Sequence, residues 1–418
     1  MTTTATPTDH YRPLHFGVTR AVLNEGVGGV RYLKAEQPLE PCARRMTDRL
    51  LHWAQTSPER TFMAQRVKNA DGINGDWRHI SYAEALASAR SIGQALLDRG
   101  LSPERPVVIL SENDLDHALL ALGCLVAGVP YCPSSPAYAT ISHDFAKLRH
   151  VLGTLTPGLV FASDAALYGR AILAIVGDDV EVVTATGAVP GRATTAFTDL
   201  LATPATSAVD AAMQATGPDT IAKFLFTSGS TKLPKAVINT HGMWCANQQQ
   251  MRQSMPVLTE APPVLVDWLP WNHTFGGNHN VGMVLYNGGT LYIDEGKPTS
   301  SGIAETLRNL RDIAPTVYFN VPTGFEAIAN AMKTDLALRK NFLSRVSMFF
   351  YAGAALAQPV WDSLYESEEA EIGQRIVMTC GLGITESSPF GLFVTSPNVR
   401  AGDLGLPTPG LELKLVPD

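Results

Sequence analysis

The residues best suited to chemistry lie between Phe224 and Val237, in the run FLFTSGSTKLPKAV. Phe224, Leu225 and Phe226 read as the end of a buried strand. Thr227, Ser228, Gly229, Ser230 and Thr231 follow at once, then Lys232, Pro234 and Lys235. A strand that opens this way brings amide N–H groups, hydroxyls and an ammonium to one point. A polyphosphate requires that donor set, because its charge must be met by many groups at once. The loop is not the P-loop of ordinary NTPases, whose Gly-x-x-x-x-Gly-Lys-Ser/Thr pattern it lacks. The same composition also suits a plain surface turn between two strands.

Three more stretches occupy strand-to-loop junctions, where open α/β sheets hold their ligands. They are Asp267–Gly277 (DWLPWNHTFGG), Tyr351–Ala355 (YAGAA) and Gly381–Pro389 (GLGITESSP). His273 stands among Trp271, Phe275 and two glycines, a setting equally suited to a core histidine. The aromatic residues Trp271, Phe275 and Phe319 suit a flat ring, which buries area and stacks.

The elements that must position these loops alternate. Strands are expected near Val30–Leu33, Val107–Leu110, Tyr131–Cys132 and Leu159–Ala162. Helices are expected over Arg45–Gln55, after a capping box at Ser81–Glu84, over Leu115–Ala127 and near His143–Leu152. Thr184–Asp219, rich in Ala, Thr, Gly and Pro, reads as a connector with one helical turn at Phe197–Leu201. A second alternating series starts at Ile221 and runs through Val264–Leu269, Thr290–Ile293, Ile303–Ile313, Val317–Val321, Met348–Tyr351, Pro359–Ser367 and Ile376–Thr379. Leu411, Leu413 and Leu415 then alternate as in a half-exposed strand. The predicted fold class is α/β: two doubly wound, mostly parallel sheets packed together, plus the start of a smaller β sheet. The expected divisions are a lead-in at 1–44, a first α/β subdomain at 45–215, a second carrying the site at 216–400, and the start of a third, β subdomain at 401–418.

With 418 residues, 45% of them apolar and 17% charged, the chain can bury a large core. A net charge of −7 argues against a nucleic-acid or membrane-surface binder, which needs a basic face. Five scattered cysteines without a CxxC pair point to reduced thiols in a cytoplasmic protein. Neither a signal peptide nor a bilayer-spanning run is apparent, so no membrane partner is expected.

Taken in order, TSGSTKLPKAV, the three junction stretches and the closing GDLGLPTPGLELKLV resemble the motifs of the adenylate-forming (AMP-binding) superfamily: acyl-CoA synthetases, non-ribosomal adenylation domains and luciferases. The resemblance runs from about residue 45 to the end. Within it, VDWLPWNHTFGGNHNVGMVLYNGGTLYIDEGKP and the lead-in YRPLHFG are most similar to feruloyl-CoA synthetase and related aryl-CoA synthetases. It implies that ATP joins a carboxylate to its α-phosphate, pyrophosphate leaves, and the thiol of coenzyme A displaces AMP. Thr227–Thr231 and Lys235 would meet the β- and γ-phosphates. Glu386 would hold Mg2+, a hard cation that prefers carboxylate oxygen, with Thr385 on a phosphate. Gly353, Ala354 and Ala355, with Gly381, Leu382 and Gly383, would receive the adenine. His273, with Trp271, Phe275, Phe319, Gly353 and Gly383, would face the acyl group. Lysine and alanine at 232 and 236 replace the family's usual glycines, and Leu382 replaces its usual tyrosine, which puts an aromatic contact with adenine in doubt.

The resemblance also implies that the family's mobile C-terminal lobe, with its catalytic lysine, lies beyond Asp418, so the chain by itself would be impaired. The expected function is an AMP-forming aryl-acid:CoA ligase, acting on a hydroxycinnamate such as ferulate or a benzoate-type acid such as salicylate, as a monomer or homodimer. Transfer to a carrier protein, or binding of an aryl acid or its adenylate without catalysis, stays open.

Overall fold

The computed structural model describes residues 10–17, 20–69, 74–227, 233–396, 400 and 402–417. The chain falls into two compact units. The first comprises Met1–Pro41, Asn247–Trp268 and Asn287–Asp418; the second comprises Cys42–Ala246 and Leu269–Tyr286.

In the second unit, strands are laid down in the order Lys235–Thr240, Ile221–Thr227, Tyr131–Pro133, Val107–Leu110, Leu159–Asp164, Glu181–Thr186 and Thr195–Ala196. All adjacent pairs are parallel except the first, which is an antiparallel hairpin. Val107–Leu110 is buried along its whole length, as expected for a strand covered on both faces. The helices start where the sequence offers caps. Ser81 Oγ accepts from Glu84 N at 3.2 Å while Glu84 Oε2 accepts from Ser81 N at 2.7 Å, which opens the helix Tyr82–Asp98. Asp114 caps Leu115–Ala127, which ends at Gly128 in a left-handed conformation. Val108, Cys132, Leu148 and Val160 belong to one apolar core, against which the half-buried Phe224 and Phe226 pack.

In the first unit, Val317–Asn320, Met348–Tyr351 and Val377–Gly383 run parallel, and Phe390–Phe393 and Leu406–Pro407 extend them antiparallel. Val264–Asp267 pairs in parallel with Thr290–Ile293. A small antiparallel sheet joins Ala21–Glu25, Arg31–Ala35 and Glu412–Leu415. The α/β class and the mostly parallel sheets agree with the sequence reading.

Three expectations change. Ile221–Thr227 does not open a new sheet but extends that of Val107–Leu110, pairing Lys223 with Tyr131. Alternation tells which face of a strand is apolar; it does not name the neighbour. The supposed connector Thr184–Asp219 holds a second helix, Ser207–Ala215, capped by Thr206 and anchored by buried Val209 and Met213. Its small residues mask the helical stripe. The closing strand Glu412–Leu415 does lie in a separate smaller β sheet, as expected, but the residues read as a weakly patterned lead-in supply its partners, the hairpin Ala21–Glu25 with Arg31–Ala35. The hairpin Thr61–Lys68 with Asn74–Ser81 and the helices Ala165–Ile175, His241–Ser254, Pro322–Met332 and Leu336–Arg345 add elements the periodicity did not reveal.

All five cysteines are unbridged, and four are buried. Among the described residues, no helix is long and apolar enough to cross a membrane.

Glu368, fully buried in the first unit, accepts from Ile376 N at 2.6 Å. Burial pushes its pKa up to about 8, against the pull of the Ile376 amide and of Arg375 and Arg12. A carboxyl raised in the folded state binds a proton that the unfolded chain has released. Stability should therefore fall as pH rises from about 4.5 to about 8, by at most about 1.4 kcal/mol per pH unit. Glu368→Gln keeps the acceptor for Ile376 and should flatten this slope. Urea unfolding at about pH 6 and above about pH 8.5 measures it. An unchanged slope in the variant would assign the pH dependence to other groups.

Candidate active site

In the second unit, the hairpin that carries the candidate phosphate loop is firmly built. Thr227 stands opposite Lys235 in the antiparallel register, so the last described residue before the loop and the candidate phosphate lysine are cross-strand partners. Lys235 is exposed, and Thr227 is half-buried. His150 Nε2 donates to Pro234 O at 3.0 Å, which pins the backbone next to Lys235. Ser228, Gly229, Ser230, Thr231 and Lys232 lie outside the described residues.

The stretch Leu269–Asn280, in the same unit, carries His273. Phe275–Asn280 forms a π-helical turn, an arrangement that recurs at functional sites. Asn113 clamps its approach: Nδ2 donates to Leu269 O at 2.9 Å, and Oδ1 accepts from Trp271 N at 3.0 Å. The backbone folds back so closely that a Cβ on Gly277 would meet Trp271 O at 2.2 Å, so only glycine fits there. His273 is exposed, and its Nδ1 accepts from Phe275 N at 3.2 Å. The neutral ring therefore carries its proton on Nε2. Desolvation lowers the pKa of the imidazole, with no neighbouring charge as a cause, which favours that neutral form.

Trp271 and Phe275 are buried. Phe275 meets His279 edge-on at 5.3 Å. Trp271 meets His117 edge-on at 5.0 Å and lines, with Lys223, Tyr131 and Trp244, a small cavity of about 30 Å³.

In the first unit, Tyr351 pairs with Cys380, so Gly353–Ala355 follow one strand at the same carboxyl end where Gly381–Gly383 close its parallel neighbour, themselves paired antiparallel with Phe390–Phe393. Gly353 has φ +91°, a conformation natural only to glycine. Gly353, Ala354 and Ala355 are exposed, leaving backbone open to a flat ligand. Leu382 is 49% exposed and Gly383 is also exposed. Thr385 is buried at the start of a short turn, while Glu386 beside it is exposed. Asn247 holds that turn from below. Its Nδ2 donates to Ser387 O at 3.1 Å and Phe390 O at 2.9 Å, and its Oδ1 accepts from Phe390 N at 3.2 Å. Phe319 is buried, with its ring 5.5 Å from Phe350.

Among the described residues, no cluster of three or more His, Cys, Asp or Glu is arranged to hold a metal. Glu386 offers only a single exposed carboxylate. Magnesium usually keeps several waters and binds through one or two carboxylates plus substrate phosphates, a donor set to which such a carboxylate would contribute.

Sequence reasoning passed over Asn113, Asn247 and Lys223. The asparagines gave no signal, since any helix or loop can carry one. Lys223 did: it interrupts the apolar run Ile221–Phe226 and is 1% exposed. Desolvation lowers its pKa well below the usual lysine range.

A family model described as AMP-binding enzyme matches residues 50–418. The peroxisomal long chain acyl-CoA synthetase 6 of Arabidopsis thaliana is 23% identical over 91% of this chain and 58% of its own length. The 3-hydroxybenzoate–CoA ligase of Aromatoleum sp. (strain CIB) is 25% identical over 85% of this chain and 63% of its own. The chain thus spans about six-tenths of these relatives' length. Among solved structures, the anthranilate CoA ligase AuaEII with anthranoyl-AMP superposes with a TM-score of 0.70 at 17% identity, covering 88% of this chain and 65% of that one.

Proposed function

From the premise that the chain belongs to the AMP-binding enzyme family, we propose that it serves an AMP-forming ligase that activates an aromatic carboxylic acid with ATP and passes the acyl group to coenzyme A. The observation that carries this reading is the exposed, small-residue strand end at Gly353–Ala355, with Gly383, Thr385 and Glu386 leaving the neighbouring strand. A flat base fits against such backbone, and a phosphate-bridging carboxylate lies a few residues along. The 3-hydroxybenzoate–CoA ligase relative supports an aryl acid, and the long chain acyl-CoA synthetase relative makes a fatty acid the competing substrate.

In the proposed first step, a carboxylate oxygen of the acid attacks the α-phosphorus of ATP, and the bond to the β-phosphate oxygen breaks. Two anions must approach one another, so charge neutralisation and positioning are the main demands. Lys235 and the donors of Thr227–Thr231 take up the negative charge of the departing pyrophosphate. Thr385 donates its hydroxyl to a phosphate oxygen, and Glu386 would hold magnesium through a carboxylate oxygen. When bound, that ion would neutralise phosphate charge. Nε2–H of neutral His273 is the donor that orients the acid's carboxylate. In the second step the thiol sulfur bonds to the acyl carbon, the acyl–phosphate bond breaks, and AMP leaves.

Incubating the protein with ATP, coenzyme A and a panel of acids tests the reading. Ferulate, other hydroxycinnamates, salicylate, hydroxybenzoates and palmitate should be compared. AMP release that depends on an aryl acid and exceeds that with palmitate is the expected result. Preference for palmitate would move the protein to the long-chain side of the family, and ADP release would exclude adenylation.

A further inference from the structure

The hairpin that carries the candidate phosphate loop and the π-helical turn that follows His273 are joined by one buried polar lattice, all of it within the second unit. On the incoming strand, four residues before Thr227, Lys223 Nζ donates to Gly277 O at 2.8 Å. Its Nζ lies 3.6 Å above the centre of the Trp244 ring and 5.7 Å from that of Tyr131. The same Trp244 donates Nε1–H to Asn278 O at 2.9 Å. On the outgoing strand, four residues after Lys235, Asn239 Oδ1 accepts from Asn278 Nδ2 at 2.8 Å, and Asn278 Nδ2 also reaches Thr274 Oγ1 at 3.1 Å. Lys223, Trp244, Asn239 and Asn278 are all buried.

A lysine is a costly way to fill a core. Desolvating an amine is unfavourable, and a methionine would occupy the same volume without that cost. What methionine cannot do is donate to the Gly277 carbonyl. A π-helical turn spaces its backbone bonds irregularly, and Gly277 O receives its donor from across the core.

We propose that Lys223 is a positioning residue: it locks the π-helical turn Phe275–Asn280, which directly follows His273, onto the strand that feeds the phosphate loop, so that the acid-orienting and phosphate-binding groups of this unit keep a fixed relation. The role of the turn in catalysis rests on the adenylation reading; the way it is held does not.

Lys223→Met tests the inference through amide hydrogen exchange and through kinetics. Exchange at Thr274–Asn280 should quicken about tenfold, the factor that losing one net hydrogen bond implies, with the rest of the unit unchanged. The urea midpoint should not fall. In aryl-acid-dependent pyrophosphate exchange, kcat should drop about tenfold or more while KM for ATP stays within about twofold, the pattern of lost positioning rather than lost binding. Unchanged exchange at Thr274–Asn280 would overturn the proposal. So would faster exchange throughout the unit with a lowered midpoint, since that marks a residue that only supports the core. Should Lys223→Met fail to fold, Trp244→Phe keeps a ring but removes the donor to Asn278 O, and the same localised quickening is required of it. If the unaltered protein shows no aryl-acid-dependent exchange of pyrophosphate, the functional reading fails, and hydrogen exchange alone decides the role of Lys223.

Discussion

Lys235→Ala is expected to lower acid-dependent adenylation by about two to three orders of magnitude, the loss seen when one preorganised group facing developing charge is removed. The ammonium is exposed, leaves the loop directly opposite Thr227, and stands on backbone pinned through Pro234 by His150. Its value comes from this fixed start: little reorganisation is needed when pyrophosphate departs. Because the side chain is exposed, stability should change by no more than about 0.5 kcal/mol, so the loss belongs to chemistry. Pyrophosphate exchange at saturating acid and ATP is the measurement. Lys235→Arg, which keeps the charge but changes its shape, should retain part of the rate. A near-normal rate in Lys235→Ala would place the phosphates elsewhere.

The second large effect is expected at Glu386. Glu386→Ala should reduce adenylation about a hundredfold or more at limiting magnesium, because a lost metal contact weakens charge neutralisation across the phosphates. Glu386→Asp, whose carboxylate is one methylene shorter, should fall in between and need more magnesium to reach half its maximal rate. The turn is held by Asn247 rather than by Glu386 itself, so neither change should disturb the fold. Titrating magnesium at fixed ATP separates the cases. If the magnesium dependence of Glu386→Ala matches that of the unaltered protein, the carboxylate is not a metal contact, and Glu386 serves only its turn.

Much of the local architecture was legible because the signals are local. The capping box at Ser81, the buried run Val107–Leu110 and the stop at Gly128 each depend on a few adjacent residues and formed where expected. Helix His241–Ser254 is hard to read because buried Asn247, Gln248, Gln249 and Gln253 interrupt the apolar positions Trp244, Cys245 and Met251. Three apolar positions among four buried amides make too thin a stripe to mark a helix. These buried amides are structural: Asn247 and Gln253 spend their donors on backbone carbonyls of the first unit, at Ser387, Phe390 and Pro38.

The order of the loop motifs, their placement after apolar runs and the membership of the family followed from residue types along the chain, since each depends on chemistry that neighbouring residues carry by themselves. Tertiary structure alone decided that Ile221–Thr227 pairs with Tyr131–Pro133, that Glu412–Leu415 finds its partner in the N-terminal hairpin, and that Lys223 meets a carbonyl 54 residues away. Those facts concern which distant groups become neighbours. Strand pairing and buried hydrogen bonds are settled by the competition among all segments for the same edges and the same buried donors, and no short window of sequence contains that competition.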